Sequence, residues 1–157
     1  MTNATAIDRF AAGAGTPAAW IRGLSPQELI AFPVPGTWSI QQLVHHVLDS
    51  DLIAVHRMKR IIAEENPLLI GYDETLFAKK LGYERMDVAM ACDCFRLNRE
   101  LMVQILRGLP EEAFIRTGVH NQYGKLTLLD LVKTYIKHLE HHETFLREKR
   151  ARLGKPL

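Results

Sequence analysis

Seven histidines are the residues of this chain best suited to chemistry, and their positions sort them into different roles. His138 and His142 stand at i and i+4 in a segment where Leu128, Leu131, Val132, Tyr135, Leu139 and Leu146 recur with a helical period. At about 100° per residue, His142 falls inside that apolar stripe, His138 at its edge, and His141 about 120° from its centre. Two imidazoles four residues apart project from one helix face one turn apart, the spacing that lets them share a metal ion. Core histidines bonded to buried polar groups would give the same spacing, so this pair alone leaves both readings open. The intervening Leu139, Glu140 and His141 lack the arrangement of a zinc-protease motif.

An earlier segment carries His45, His46 and His56 beside an apolar stripe of Ile40, Leu43, Val47, Ala54, Met58 and Ile61. His45 points nearly opposite the stripe and His56 lies far from it. His46 sits at its margin, on an edge shared with Ser39, Gln42, Ser50, Ile53 and Arg57. A third imidazole from a facing helix would complete a three-histidine site with positions left open, the pattern of catalytic rather than structural zinc. Imidazole ligation also suits nickel, iron or copper. Asp49, one turn from His46, is a candidate base or a partner for a ligand, although its wheel position is that of a solvated residue. Arg57, three turns along the His46 edge, is a candidate for holding an anion, with a surface salt bridge as the alternative.

Four long helices must position these groups. The first is expected from about Ala4 to Arg22, weakened at Gly13-Ala14-Gly15-Thr16-Pro17, with a short turn after Ser25. The second runs from Ser39 to about Glu65 and ends before Pro67. A short helix capped by Asp73 follows. The third runs from about Asp87 to Arg107 and the fourth from Thr127 to about Arg152. Phe114 to Lys125 reads as loop or hairpin. The pattern predicts an all-α, four-helix bundle in a single domain over residues 1–157. Its connections exceed ten residues, which permits a crossover topology. The long segments 66–87 and 114–125 flank the metal helices and are expected to wall a pocket, with Tyr72 and His120 as candidate substrate-binding residues.

Composition narrows the function. Charged residues are 24% and the net charge is +2, which gives no electrostatic case for nucleic acid. Arg147, Lys149, Arg150 and Arg152 suit the last turn of a helix and its dipole. Cys92 and Cys94 stand about 200° apart on a helix, too far round to bridge each other or share one metal easily. They imply no disulfide framework and a reducing compartment. No secretory leader and no membrane span are expected, so the cytoplasm is the expected location.

The chain resembles the DinB/YfiT-like family of metal-binding four-helix bundles, and most closely its YfiT-type members, which include bacillithiol S-transferases. The segments that carry the likeness are Thr37 through Ser50 with Arg57-Met58-Lys59, Glu65-Asn66-Pro67, Tyr72-Asp73-Glu74, His120, and Gly124 through Thr127 leading to Tyr135 through His142. Together they span about residues 32 to 146 in the family's order. Phe77 stands where a Trp is common. The resemblance implies that the metal ligands are His46, His138 and His142, that the topology has a long crossover, and that homodimers are frequent.

The expected function is that of a divalent-metal-dependent enzyme, with zinc or nickel as the leading metals and a small molecule as substrate. The leading reaction is transfer of a low-molecular-weight thiol to an electrophile, because a three-histidine cation lowers the pKa of a bound thiol as it does that of water. A metal-dependent hydrolase and a non-catalytic metal-binding stress-response protein are the alternatives.

Overall fold

The computed structural model describes all 157 residues. Helix α1 spans Asn3–Ala12, and a 3-10 turn at Gly13–Gly15 joins it to α2, Thr16–Ile21. The expected first helix is thus broken where its glycines stand. Gly13 allows close packing at this break, since a Cβ there would meet the Arg99 guanidinium at 2.6 Å and Leu139 at 2.9 Å. After α3 (Pro26–Ile30) come α4 (Ile40–Ala63), α5 (Glu74–Lys80), α6 (Val88–Arg107) and α7 (Leu128–Arg152).

The two helices that carry the candidate ligands begin at reciprocal caps. The Ser39 hydroxyl accepts the Gln42 backbone N–H at 3.1 Å, while the Gln42 side chain accepts that of Ser39 at 3.0 Å. Thr127 and Asp130 do the same for α7. Fixing both N-termini sets the rotation of each helix, and so which face its histidines present.

The sequence pattern suggested no convincing strand beyond a hairpin in segment 114–125, yet three short strands form one sheet. Strands β2 (Thr117–His120) and β3 (Gly124–Thr127) make an antiparallel hairpin, and β1 (Leu68–Leu69) pairs parallel to β2. Two-residue β1 is too short to give a period. What places it there is its pairing with β2 and the burial of Leu69, which packs against Gly118. The sheet holds the two long connections together at one end of the bundle.

The apolar core divides in two along the bundle. One cluster gathers Phe10, Met58, Ile61, Met102, Leu106 and Leu131. The other gathers Trp20, Leu43, Val47, Phe95, Leu139 and Leu146. Arg99 bridges the helices from a position 2% exposed. It pairs with Asp51 at 2.8 Å, donates to the Phe10 and Tyr135 carbonyls, and lies over the Phe10 and Phe95 rings.

Basic residues stand in the last turn of α7, as its dipole favours, and two of them turn inward. Arg150 is buried and donates to the carbonyls of Trp20, Arg22 and Lys155, closing the end of α2 and the C-terminal turn. Lys149 is buried as well, with Thr37 as its partner. His45 also departs from its expected outward position. The 3-10 turn Tyr83–Arg85, held by the Gln41 side chain at 2.8 and 2.9 Å, folds over this face of α4, and the Tyr83 ring stacks on His45.

Candidate metal centre

The face of α4 that carries His46 meets the face of α7 that carries His138 and His142. The three Nε2 atoms converge: His46 to His142 is 3.0 Å, His138 to His142 is 3.0 Å, and His46 to His138 is 3.3 Å. Nitrogen ligands about 2.0–2.1 Å from an ion lie about 2.9 Å apart at right angles and about 3.4 Å apart at the tetrahedral angle. The observed separations fall between these limits. An N–H from one ring can satisfy only one neighbour, so a triangle of three nitrogens leaves lone pairs facing each other unless a cation sits between them. The donor set therefore fits a single divalent ion, and no other group of three or more such side chains comes together in the chain.

Burial keeps these imidazoles neutral, as ligands must be. It pushes His46 down to about 3, His138 to about 4 and His142 to about 3, with the neighbouring histidines of the triad as a further cause in each case. With Nε2 turned to the centre, the neutral His142 ring carries its proton on Nδ1, which is buried without an acceptor. The Trp38 ring packs on His46 with centroids 4.7 Å apart. A Glu74 oxygen lies 3.9 Å from His46 Nε2, and its side chain remains 56% exposed.

Two cavities of opposite character adjoin the triad. On the His142 side, Val34, Trp38, Leu43 and Phe145 line a space of about 210 Å³ that presents almost only carbon, with Thr37, Glu148 and the Lys149 stem at its margin. On the His138 side, Ser50, Arg57, Tyr72, Glu74, His120 and Tyr135 line a polar space of about 180 Å³.

The structure brings most of the candidate residues to this place. Arg57, Tyr72 and His120 all line the polar cavity with His138. Arg57 is buried rather than part of a surface ion pair, and it donates to the Tyr135 hydroxyl at 2.9 Å and to the Ile70 carbonyl. His120 is buried in β2, and burial together with the Arg57 charge lowers its pKa. Tyr72 is raised to about 12 by burial. Asp49 is not among the walls of either cavity; its carboxylate accepts the Tyr83 hydroxyl at 2.5 Å, beside His45. That bond is a cause, after burial, of the raised Tyr83 pKa.

Sequence reasoning did not single out Glu74, Ser50, Tyr135 or Trp38. Tyr135 figured as a stripe residue and in the family likeness but not as a site residue, and Trp38 stands one residue before a helix cap, where spacing carries no message about a ring packed on His46. Glu74 does lie beside the predicted cap Asp73, but only the folding of α5 against α4 carries it to the triad.

The comparisons with known proteins follow the same lines. Residues 15–145 match the DinB superfamily, a stretch that includes all three histidines of the triad. A protein of Bacillus pumilus named "putative metal-dependent hydrolase" is 31% identical over 114 residues, which cover 72% of this chain and 65% of that protein. A protein of Oceanobacillus iheyensis with the same description is 29% identical over 107 residues, 68% of this chain and 62% of its own. The chain thus spans somewhat less than two thirds of these relatives' length. YfiT from Bacillus subtilis, described as a probable metal-dependent hydrolase with an unusual four-helix bundle topology, superimposes with a TM-score of 0.90 at 22% identity, over 98% of this chain and 88% of its own. That likeness establishes the bundle topology, and with the match over most of its length the chain belongs to the DinB superfamily.

Proposed function

We propose that the chain is a metal-dependent enzyme in which His46, His138 and His142 hold one divalent ion, zinc or nickel, and which transfers a low-molecular-weight thiol to an electrophilic carbon. The single observation that carries this reading is the pair of unlike cavities on either side of the triad. Hydrolysis needs room for one organic substrate and water, whereas transfer needs room for two organic molecules that meet at the ion. The bound ion would supply Lewis acidity, favouring the thiolate over the thiol near neutral pH.

The chain's own residues do the rest. The polar walls at Arg57, Tyr72 and His120 orient the thiol's body. The rings of Trp38 and Phe145 hold the apolar body of the electrophile and exclude water from it. Glu74, 3.9 Å from His46 Nε2 and open to solvent, takes up the thiol proton and passes it to water. A sulfur–carbon bond forms, and the bond from that carbon to its leaving group breaks with the electron pair departing on that group. Asp49 acts at one remove, by fixing Tyr83 over the helix that carries His46.

A hydrolase is the second reading. It is favoured by the descriptions of the relatives and by the same Glu74, which would serve equally as a base toward water. The deciding experiment loads the protein with zinc or nickel and offers it a panel of small thiols with an aromatic halide, and in parallel a panel of esters and amides. Conjugation that depends on metal and is lost in His142→Ala supports transfer. Metal-dependent ester or amide cleavage without conjugation moves the assignment to hydrolysis, and neither activity leaves a non-catalytic metal binder.

The remaining expectations belong to this reading. The working unit is a homodimer of single-domain chains that engages neither nucleic acid nor membrane, and its place is the reducing cytoplasm, in keeping with two unpaired cysteines. No helix is long and apolar enough to cross a membrane.

A further inference from the structure

We propose that Arg57 makes the cavity beside His138 a carboxylate-binding subsite, so that the small thiol taken there is one that carries a carboxylate. This deepens the thiol reading above and rests on it.

The observation is a buried cation without a counter-charge. Arg57 is 7% exposed, and no carboxylate pairs with it. Its guanidinium donates to the Tyr135 hydroxyl and the Ile70 carbonyl, and its Nε–H is buried with no acceptor. The other buried arginines are accounted for differently. Arg99 has Asp51 at 2.8 Å, and Arg150 caps three backbone carbonyls and lines neither cavity beside the triad. Arg57 alone combines an unpaired charge with a place in a cavity wall next to the triad. A buried guanidinium is costly unless an anion meets it, and its planar fork matches a carboxylate in two parallel hydrogen bonds.

The neighbouring groups are also donors. The Tyr72 hydroxyl is buried beside Ser50 with no well-formed hydrogen bond. His120 Nδ1 accepts the Gln122 backbone N–H at 3.1 Å, which places the proton of the neutral ring on Nε2 as a further donor. Glu74 is the only carboxylate among the walls, and it lies toward His46 at the exposed mouth instead of pairing with Arg57. A cavity rich in donors around one cation, with the ligand triad at its end, fits a molecule with an acid at one end and a sulfur at the other.

The test uses cobalt(II)-loaded protein, whose near-ultraviolet sulfur-to-cobalt absorption reports thiolate binding without turnover. The probes are 3-mercaptopropionate and its neutral counterpart 2-mercaptoethanol. The native chain should bind 3-mercaptopropionate at least tenfold more tightly. Arg57→Met should erase that preference by weakening 3-mercaptopropionate at least tenfold more than 2-mercaptoethanol, and Arg57→Lys should keep part of it. Equal affinities in the native chain overturn the subsite whether or not the variants fold, and so does a preference that survives in a folded Arg57→Met. Should neither thiol give the absorption, the thiol reading fails, and the subsite is then decided by calorimetry of propionate with the metal-free protein. Heat of binding that is absent in Arg57→Met supports it, and no heat in the native chain overturns it.

Discussion

At the scale of single residues, the triad separates histidines that the sequence places side by side. His46→Ala, His138→Ala and His142→Ala should each abolish stoichiometric metal uptake, measured by elemental analysis after dialysis, while His45→Ala and His141→Ala should retain it. His45 is occupied by Tyr83, and His141 is exposed against Phe145. Metal loss in His141→Ala with retention in His138→Ala would refute the arrangement. The same burial makes the metal-free protein sensitive to pH. The three imidazoles have an ordinary value near 6.5 when unfolded and about 3 to 4 when folded. Between those values the unfolded chain binds more protons, so the stability present above about pH 6.5 is lost as the pH falls toward 4. The thermal midpoint of chelated protein should drop steadily from pH 7 to 5, and bound metal should blunt the drop; a flat profile in chelated protein would contradict the assignment. Helical spacing made the α7 face of the triad legible, because period alone decides which way His138, His141 and His142 point. It misjudged His45, because the cover over that face arrives from residues about forty positions along the chain.

At the scale of elements, the long helices were readable from caps and stripes, and their observed bounds differ from the expected ones by one or two residues where Ser39, Asp87 and Thr127 cap them. The sheet was less readable. A two-residue strand has no period, and β1 exists through its pairing with β2. The relation among helices was equally hidden, since Asp51 and Arg99 carry no sign in sequence that they are partners. Arg99 ties α1, α4 and α7 to its own helix through the Phe10 carbonyl, Asp51 and the Tyr135 carbonyl. Asp51→Ala would leave a buried guanidinium without its counter-charge, a change that typically costs about 3–5 kcal/mol. A shift of that order in the urea midpoint is expected, and a loss below about 1 kcal/mol would mean that the carbonyls alone satisfy Arg99. Tyr135 makes the link to function, because its carbonyl receives Arg99 while its hydroxyl holds Arg57 at the cavity.

For the whole molecule, two apolar clusters along the bundle make folding independent of metal, so chelated protein should keep its helical circular dichroism. Metal that binds only the native state should then add about 2.7 kcal/mol at a hundredfold excess over Kd. One surface is left unexplained by the monomer. On α6, Met90, Cys94, Leu97 and Leu101 are exposed, and their 4-3-4 spacing sets them within one narrow stripe. Such a seam suits packing against another helix, and monomers rarely leave one open to water. Asp93, Arg96 and Glu100 flank it with both signs of charge, so the same face turned about a two-fold axis can meet its own complement. The dimer proposed above would use this stripe. Native protein should sediment as a dimer, and Leu97→Lys should sediment as a monomer with helical content and metal uptake unchanged. A monomeric native chain would overturn the dimer, and a variant that still dimerises would place its contact elsewhere on the bundle.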